Sequence, residues 1–316
     1  MKHPNSSLRL DFILLLIGLW LAVPHEAHAI MFYDSGSASY NNTAPTGAYA
    51  NSGWQYEGYF GSFLGTKIAP SYFITAQHIG VNSNTFSDLV TSTTYNVDTN
   101  ANGGVGYYDI AGTDLRVYHI TGGTFPTYAT IYSGTAASTA AFVDIGRGGP
   151  RGAAVITGMI QNGWLDGASD GVVRWGSNTF NGTTSVSGVG TMLVSNFTGP
   201  GADDLSDGDS GGGAFIKVGS VWELVGINYG IEGLFSASST GSSPFNAALY
   251  NKAGLYEQRG NGWGPASVGS SSFYVSQVSS NAASINNISA VPEPCGALLV
   301  FAVGMICLIK RSRTHR

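Results

Sequence analysis

Short segments rich in Val, Ile, Thr, Tyr and Phe recur along this chain of 316 residues, and each ends in a cluster of Gly, Asn, Ser or Asp. Residues 72–76 and 222–227 are two examples. Such side chains fit a pleated sheet and the clusters supply turns, so the pattern is typical of many antiparallel strands. No long stretch between residues 30 and 288 has the spacing of an amphipathic helix. About 260 residues with this pattern predict one all-β unit or two small packed barrels.

The run Gly-Asp-Ser-Gly-Gly-Gly at residues 208–213 surrounds one serine, Ser210, with glycines. A serine hydroxyl is a weak nucleophile at neutral pH, and it needs a neighbouring base and donors for the oxyanion that it creates. Glycines allow the backbone to turn its N–H groups toward one point, as oxyanion binding requires. The run also fits the looser Gly-x-Ser-x-Gly pattern of α/β-hydrolases, so the partner residues must discriminate.

The positions of the six histidines limit the choice of base. Four of them lie in the terminal segments: His3, His25, His28 and His315. His78 and His119 remain, and both precede Ser210. An α/β-hydrolase needs its histidine after the serine, which excludes that fold. A subtilisin-like order needs an aspartate before the histidine, and between residue 30 and His78 only Asp34 is present, without a matching motif. The remaining order is His, Asp, Ser.

Two motifs upstream of the serine complete that order. His78 follows the strand-like residues 72–76 and a small-residue turn, and Asp114 opens an alternating segment at residues 114–120. The separations are 36 residues from His78 to Asp114 and 96 from Asp114 to Ser210. In order, spacing and local sequence, these motifs resemble the chymotrypsin-like (trypsin-like) serine protease family. The resemblance spans about residues 53–288 and is sharpest at the three motifs.

The resemblance implies an all-β fold, a chymotrypsin-like double six-stranded β-barrel with a short C-terminal helix, in a domain at residues 30–288. It also implies a catalytic triad of His78, Asp114 and Ser210. The N–H groups of Gly208 and Ser210 would form the oxyanion hole.

Two residues near this triad have alternative interpretations. Asp109 competes with Asp114, and the better strand alternation after Asp114 favours Asp114. His119 lies on that strand, and we expect it to be structural.

Substrate recognition is expected in two places. Residues 222–230 resemble the strand that pairs with substrate, which implies substrate-binding roles for Asn228, Tyr229 and Gly230. Asp204 stands six residues before Ser210, where trypsin-type members carry an aspartate that selects Arg or Lys at P1, the residue before the cleaved bond. Because three further acids (Asp203, Asp207, Asp209) crowd the same loop, a solvated acidic loop and a calcium-binding loop stay open as alternatives.

Asp209 raises the question of activation. In many members of the family that this chain resembles, the aspartate before the serine pairs with a freshly cut N-terminal isoleucine. Cleavage after Ala29 would expose Ile30 directly, although residues 30–33 lack the glycines of the usual activated start. We therefore state as a hypothesis that export itself activates the enzyme.

Both chain ends resemble targeting segments. A positive start, an apolar run at residues 12–23 and Ala-His-Ala at residues 27–29 predict a signal peptide at residues 1–29. Residues 289–316, with Pro-Glu-Pro, an apolar segment and a basic tail, resemble the PEP-CTERM sorting signal. That resemblance implies an exosortase-type partner, transient anchoring in the membrane by a C-terminal helix, and a cell-surface or matrix location in a Gram-negative bacterium. An ordinary C-terminal anchor is the alternative.

Several partners are not expected. Both cysteines, Cys295 and Cys307, lie in the C-terminal segment, and the chain has no Cys/His cluster for zinc and no nucleotide-binding loop. The formal net charge of -5 offers no basic face for nucleic acid. We therefore expect no metal and no cofactor. The sequence predicts a serine endopeptidase acting on proteins or peptides, and the alternative is a catalytically silent pseudoprotease that serves as a surface or matrix binding or structural module.

Overall fold

The computed structural model describes residues 30–37, 39–135 and 139–290. The predicted signal peptide lies outside these ranges, as does the predicted sorting segment apart from residues 289 and 290.

The strands of the first part of the chain, up to residue 131, are β1 (Met31–Phe32), β2 (Glu57–Phe60), β3 (Phe63–Ala69), β4 (Tyr72–Ala76), β5 (Thr85–Asp88), β6 (Thr94–Val97), β7 (Tyr108–Asp109), β8 (Leu115–Thr121) and β9 (Thr130–Ile131). Those of the second part are β10 (Ala141–Gly146), β11 (Arg151–Thr157), β12 (Ile160–Asp166), β13 (Arg174–Val186), β14 (Gly190–Asn196), β15 (Asp203–Asp204), β16 (Gly213–Val218), β17 (Val221–Ile231), β18 (Phe235–Ser236), β19 (Ala247–Leu249), β20 (Tyr256–Arg259), β21 (Gly262–Pro265) and β22 (Ser272–Gln277).

Helical structure is confined to short elements. They are the helical turn α1 (Ala101–Gly104), the helix α2 (Ala282–Ser289) and 3-10 turns at Gly47–Tyr49, Trp54–Tyr56 and Ser279–Asn281. Within the described ranges, no helix is long and apolar enough to cross a membrane. The predicted absence of long helices from the domain therefore agrees with the structure.

The first barrel contains six strands in the order β4-β3-β2-β5-β6-β8, and pairing between β4 and β8 closes it. β7 adds to the outside of β8. Alternate side chains point inward, as the period of two in a strand requires, and aromatic rings fill the interior. The rings of Phe73 and Tyr118 stack with centroids 5.2 Å apart, and Phe60 packs against both.

The second barrel contains β16, β10, β13, β14, β22 and β17 in that order, and pairing between β16 and β17 closes it. Inside it the rings of Phe142 and Phe180 stack with centroids 4.0 Å apart. The helix α2 follows the last strand and buries Ile285. Two closed six-stranded barrels with a short C-terminal helix confirm the predicted chymotrypsin-like double barrel.

One apolar cluster joins the two barrels. Leu64 and Ile74 of the first barrel share it with Val143, Phe215 and Ile227 of the second, and all five are fully buried. Because burial of apolar surface is the main favourable term in folding, this shared cluster makes the two barrels a single packed unit. The residues that the sequence analysis selected lie along this seam.

Two further small sheets were not predicted. The hairpin of β11 and β12 pairs with β19 in one three-stranded sheet, and β18, β20 and β21 form another. They come from segments inserted between barrel strands, at residues 147–173 and 232–271. Val155, Phe235 and Leu255 bury their side chains between the two segments. The inserted segments therefore form a separate layer at one end of the second barrel.

Candidate active site

The register of the first barrel brings His78 and Asp114 together. β4 pairs antiparallel with β8, and Ala76 lies opposite Leu115, so the end of β4 adjoins the start of β8. His78 stands two residues beyond β4, and Asp114 stands one residue before β8. The Asp114 carboxylate accepts the backbone N–H of His78 at 2.9 Å, and its second oxygen lies 2.7 Å from His78 Nδ1. These two contacts fix the orientation of the imidazole ring.

Ser210 reaches the same ring from the second barrel, in the loop between β15 and β16. Its Oγ lies 2.9 Å from His78 Nε2 and 3.5 Å from the carbonyl oxygen of Tyr229. The Asp114 side chain is 6% exposed and the His78 side chain is 38% exposed, so solvent reaches the ring but hardly the carboxylate. The three residues named as a triad thus form one chain of hydrogen-bonding groups, and their catalytic role stays a prediction.

The two alternative residues have other partners. Asp109 holds Arg116 through two contacts, at 2.6 and 3.1 Å. His119 Nδ1 lies 2.9 Å from an oxygen of Asp98. The structure therefore brings Asp114 rather than Asp109 to His78.

Asn228 holds the Ser210 loop through its backbone groups. Its backbone N–H donates to Gly212 at 2.8 Å, and its carbonyl oxygen accepts the N–H of Gly211 at 3.0 Å. Its side-chain amide donates to the carbonyl oxygen of Ile145 at 3.0 Å, and the residue is fully buried. The sequence analysis assigned Asn228 to substrate binding. Its backbone N–H is used inside the protein, while its carbonyl oxygen can accept a second hydrogen bond, so the assignment stays a prediction.

Gly211 marks the contact between the Ser210 loop and the first barrel. Its φ of +85° lies in the region that favours glycine. A Cβ atom built there would collide with Oγ1 of Thr75 and would lie 2.5 Å from the carbonyl oxygen of Leu64. Any other residue at this position would push the loop away from β3 and β4.

The predicted oxyanion donors lie on either side of Asp209. Gly208 has a φ of +99°, again in the region that favours glycine. In the part of the chain that the structure describes, neither the N–H of Gly208 nor that of Ser210 donates to a protein acceptor. Both donors are therefore available to a ligand oxygen, and their role as an oxyanion hole stays a prediction.

Tyr229 and Gly230 lie at a strand edge beside Ser210. β16 pairs with β17 only as far as Ile227, and beyond it the described chain pairs β17 with β22 alone. The ring of Tyr229 packs edge-on against the His78 ring with centroids 5.3 Å apart. A Cβ atom built on Gly230 meets nothing within 4 Å. The free edge of β17 and the open space beside Gly230 agree with the predicted pairing of Tyr229 and Gly230 with substrate.

Asp209 is buried behind the loop and accepts four hydrogen bonds. Their donors are the N–H of Gly148 at 2.6 Å, the N–H and Oγ of Ser206 at 2.8 and 2.9 Å, and the backbone N of Ile30 at 3.3 Å. Burial raises the pKa of Asp209 to about 7, against the lowering effect of Gly148 and Ser206. The Ile30 nitrogen thus lies beside the carboxyl group that the activation hypothesis assigns to it. The sequence analysis had not singled out Gly148 and Ser206, which gave no signal beyond small size.

The acidic loop is mostly internal, so its interpretation as a solvated loop is wrong for three of its four acids. Asp203, Asp204 and Asp209 are each 1% exposed, and only Asp207 faces solvent. Asp204 accepts a hydrogen bond from Ser271 Oγ at 3.0 Å, and among the described residues its other oxygen has no partner. Burial raises the pKa of Asp204 well above its ordinary value, and nearby Asp166 adds to this.

Asp203 lies against Asp144 in the same interior. Burial raises the pKa of Asp203 to about 7, and burial together with Asp203 raises that of Asp144 well above its usual range. Burial is the largest cause in both cases, because each carboxyl group is enclosed by the protein. In the described ranges, no group of three or more His, Cys, Asp or Glu side chains is placed to hold a metal ion.

Comparison with known proteins adds little to these observations. No protein-family model matches the chain, and no curated protein matches it. Among solved structures it is similar to the crystal structure of Rv3671c from M. tuberculosis H37Rv, a serine-to-alanine mutant in an inactive form. The identity is 11%, the TM-score is 0.41, and the match covers 79% of this chain and 97% of that chain. Similarity at this level carries no argument, and the fold is assigned from the two closed barrels themselves.

Proposed function

We propose that the protein is a serine endopeptidase that hydrolyses peptide bonds through Ser210, His78 and Asp114. One observation carries the proposal: His78 lies between the other two, with 2.7 Å from Nδ1 to Asp114 and 2.9 Å from Nε2 to Ser210. A base within hydrogen-bonding reach of a hydroxyl, itself oriented by a buried carboxylate, is the arrangement that activates a serine nucleophile.

In the proposed reaction, Ser210 Oγ attacks the substrate carbonyl carbon while His78 Nε2 takes the hydroxyl proton. Asp114 holds the Nδ1–H tautomer and stabilises the imidazolium that forms. The N–H groups of Gly208 and Ser210 donate to the developing oxyanion. His78 then gives its proton to the leaving amine, which breaks the peptide bond and leaves an acyl group on Ser210. Water, activated by His78, hydrolyses that ester and restores the serine.

Substrate backbone would bind along the open edge of β17. Gly230 and Ile231 pair with β22 on one side only, and Tyr229 lies at a register shift, so an extended peptide can add as a further strand on the other side. This proposal assigns main-chain recognition to Tyr229 and Gly230.

Selection of the P1 side chain is proposed at Asp204. An unpartnered carboxyl oxygen in a buried setting is compensated best by a cation, which favours Arg or Lys at P1. Because Asp204 is only 1% exposed, the basic side chain would need to penetrate to a carboxyl group that is shielded from solvent.

The location also stays a proposal. Export after removal of residues 1–29, retention through residues 289–316 and processing by an exosortase-type partner rest on the sequence resemblance alone. They place the proposed peptidase at the cell surface or in the extracellular matrix.

The intact mass of the purified protein after treatment with diisopropyl fluorophosphate tests the function. We expect a single adduct on Ser210 that is absent from Ser210→Ala and His78→Ala. Asp114→Asn keeps the shape of the side chain but favours the wrong tautomer of His78, and we expect it to lower labelling and peptide turnover by about 10³- to 10⁴-fold. Absence of an adduct on a folded protein would contradict the proposal and favour the alternative, a silent binding or structural module.

A further inference from the structure

A cavity of about 380 Å³ lies beside the Ser210 loop, and nothing in the proposed reaction uses it. Its walls are formed chiefly by Leu165, Asp166, Asp207, Phe245 and Asn246. Asp207 belongs to the Ser210 loop, and the other four belong to the two inserted segments. The cavity therefore exists only because the insertions are packed against the loop.

Hydrogen bonds join the three segments around this cavity. The N–H of Asp166 donates to the carbonyl oxygen of Asn246 at 3.0 Å, and the Asn246 side-chain amide donates to Asp207 at 2.6 Å. The N–H of Asp207 in turn donates to the carboxylate of Asp166 at 3.1 Å. Asp166, Asn246 and Asp207 thus hold one another in position, so the cavity is a defined part of the fold and not a gap between loose loops.

The cavity is lined by acids. Two carboxyl groups, Asp166 and Asp207, line it, and none of the lining residues in the described chain is Lys or Arg. The Asp166 oxygen that does not accept the Asp207 N–H is closed off from solvent and has no hydrogen-bond partner among the described residues, and burial raises the pKa of Asp166 to about 7. Asp207 faces solvent, so its carboxylate is the negative group that a cation entering the cavity meets.

The apolar walls add a second requirement. Leu165 and Phe245 flank the two acids, so a ligand that fits must carry apolar atoms as well as positive charge. The side chains of lysine and arginine combine a methylene stem with a cationic head, and such stems lie along apolar surface while the head finds a polar partner. A bare metal ion would leave the apolar walls unused.

The cavity is close enough to Ser210 to bind part of the same substrate. Asp207 precedes Ser210 by three residues, so their Cα atoms lie at most about 11 Å apart. An extended peptide covers that distance in about three residues. Asp207 is also directly bonded to Gly208, one of the two proposed oxyanion donors.

We propose that this cavity is a subsite for one lysine or arginine side chain of the substrate, within about three residues of the cleaved bond and centred on Asp207 rather than on the buried Asp204. The inference rests on the proposed peptidase function and adds a substrate requirement to it. The inserted segments are thereby assigned to specificity.

The test uses quenched fluorescent peptides in which a single Arg is moved through each position around the cleaved bond, with Gln at that position as the matched neutral peptide. We expect kcat/KM to favour Arg over Gln by about tenfold at one position outside P1, corresponding to about 1.4 kcal/mol. In Asp207→Asn that ratio falls to near one, because the amide keeps the contact with Asn246 but loses the charge. Glu223→Gln removes the same charge from β17 and should leave the ratio unchanged. Asp204→Asn should alter preference at P1 alone.

Labelling of Ser210 separates failure of this inference from failure of the proposed function. If the diisopropylphosphoryl adduct forms but no position outside P1 shows an Arg preference that depends on Asp207, the subsite is overturned and the peptidase stands. If no adduct forms, equilibrium binding of the same peptides to Ser210→Ala still tests the subsite. Tighter binding of the Arg peptide, lost on adding Asp207→Asn, supports the subsite, and equal binding of the Arg and Gln peptides overturns it.

Discussion

The two barrels treat buried charge in different ways. In the first, Lys67 and Asp88 form an ion pair whose side chains are at most 1% exposed, and Arg116 holds Asp109 through two contacts. In the second, Asp144 and Asp203 are equally buried, yet none of their carboxyl oxygens has a hydrogen-bond donor among the described residues.

The Asp144–Asp203 pair thus lacks the cation that Asp88 has. The contrast concerns these pairs and not every buried group, because Glu57 on β2 is also buried with one oxygen that has no donor among the described residues, and Arg174 on β13 is paired with Asp170. Paired groups keep their charge inside a protein, whereas unpaired acids bind protons and become neutral. The second barrel therefore holds raised carboxyl pKa values close to the Ser210 loop, and Asp209 is among them. A chain cut after Ala29 would supply the missing cation as the amino group of Ile30, whose nitrogen already lies 3.3 Å from Asp209.

The largest expected effect comes from that amino group. Protein that begins at Ile30 should turn over peptides at least 100-fold faster than protein that retains one alanine before Ile30. The reason is that losing one partner of a buried ion pair costs about 3–5 kcal/mol. Steady-state turnover of the two forms, with the N-termini verified by mass, is the measurement. Equal turnover would end the hypothesis that export activates the enzyme.

A matched pair of charge removals tests the comparison itself. Lys67→Met should lower the free energy of unfolding by about 3–5 kcal/mol, because Asp88 is left buried and unpaired. Asp144→Asn should change it by less than about 1 kcal/mol at pH 8, because the amide gives Asp203 a donor. Urea unfolding of both variants measures the two changes. If Asp144→Asn lowered the free energy of unfolding more than Lys67→Met, the barrels would not differ in this way.

The pH dependence of stability follows from the raised pKa values. Asp166, Asp203 and Asp209 have folded pKa values of about 7 against an ordinary value of 3.8, and that of Glu57, beneath Gly213 at the seam, is about 8. The folded protein therefore binds more protons than the unfolded chain, and this contribution is complete below about pH 4 and lost as the pH rises through 7 and 8.

We expect the free energy of unfolding to fall by about 1.4 kcal/mol per pH unit for each such group between pH 5 and its folded pKa. Urea titrations at pH 5, 6, 7 and 8 measure this fall. Glu57→Gln should remove the part between pH 7 and 8. A flat profile would contradict the assignment of protonated interior acids.

The smallest effect is expected at the Arg116–Asp109 pair of the first barrel, in which Arg116 is buried but the Asp109 side chain is 35% exposed. Arg116→Lys should cost about 1 kcal/mol, because lysine keeps the charge but loses the two-point contact with Asp109 and the stacking 3.7 Å above the Tyr107 ring. Chemical unfolding measures the change, with Asp109→Asn as the comparison. A loss above 3 kcal/mol would mean that this partly exposed pair matters as much as the fully buried Lys67–Asp88 pair.

Scarce histidines, strand alternation and chain order predicted an all-β domain and the order His, Asp, Ser. The double barrel and the approach of His78, Asp114 and Ser210 were implied by the resemblance of these motifs to a known family, and the register of β4 against β8 brings the first two together. The choice of Asp114 over Asp109 also followed from alternation within one strand.

What the sequence could not predict depends on packing between distant segments. The burial of Asp203 and Asp204 requires β1 to pair with β15, about 170 residues away along the chain. The supporting role of Asn228 appears only when both of its backbone groups are seen to be used. The sheet of β11, β12 and β19 joins the two inserted segments through pairing of β12 with β19, and neither segment contains a sequence motif that predicts the other.

The contact at Gly211 has a consequence for the order of events during synthesis. His78 and Asp114 belong to the half of the chain that is made first, whereas Ser210 is set only when its loop seats against Thr75 and Leu64. Its supports include β17, whose partner β22 is among the last segments made. On the proposed function, a partly synthesised chain therefore has a base without a nucleophile, and the three groups come together only when the chain is complete.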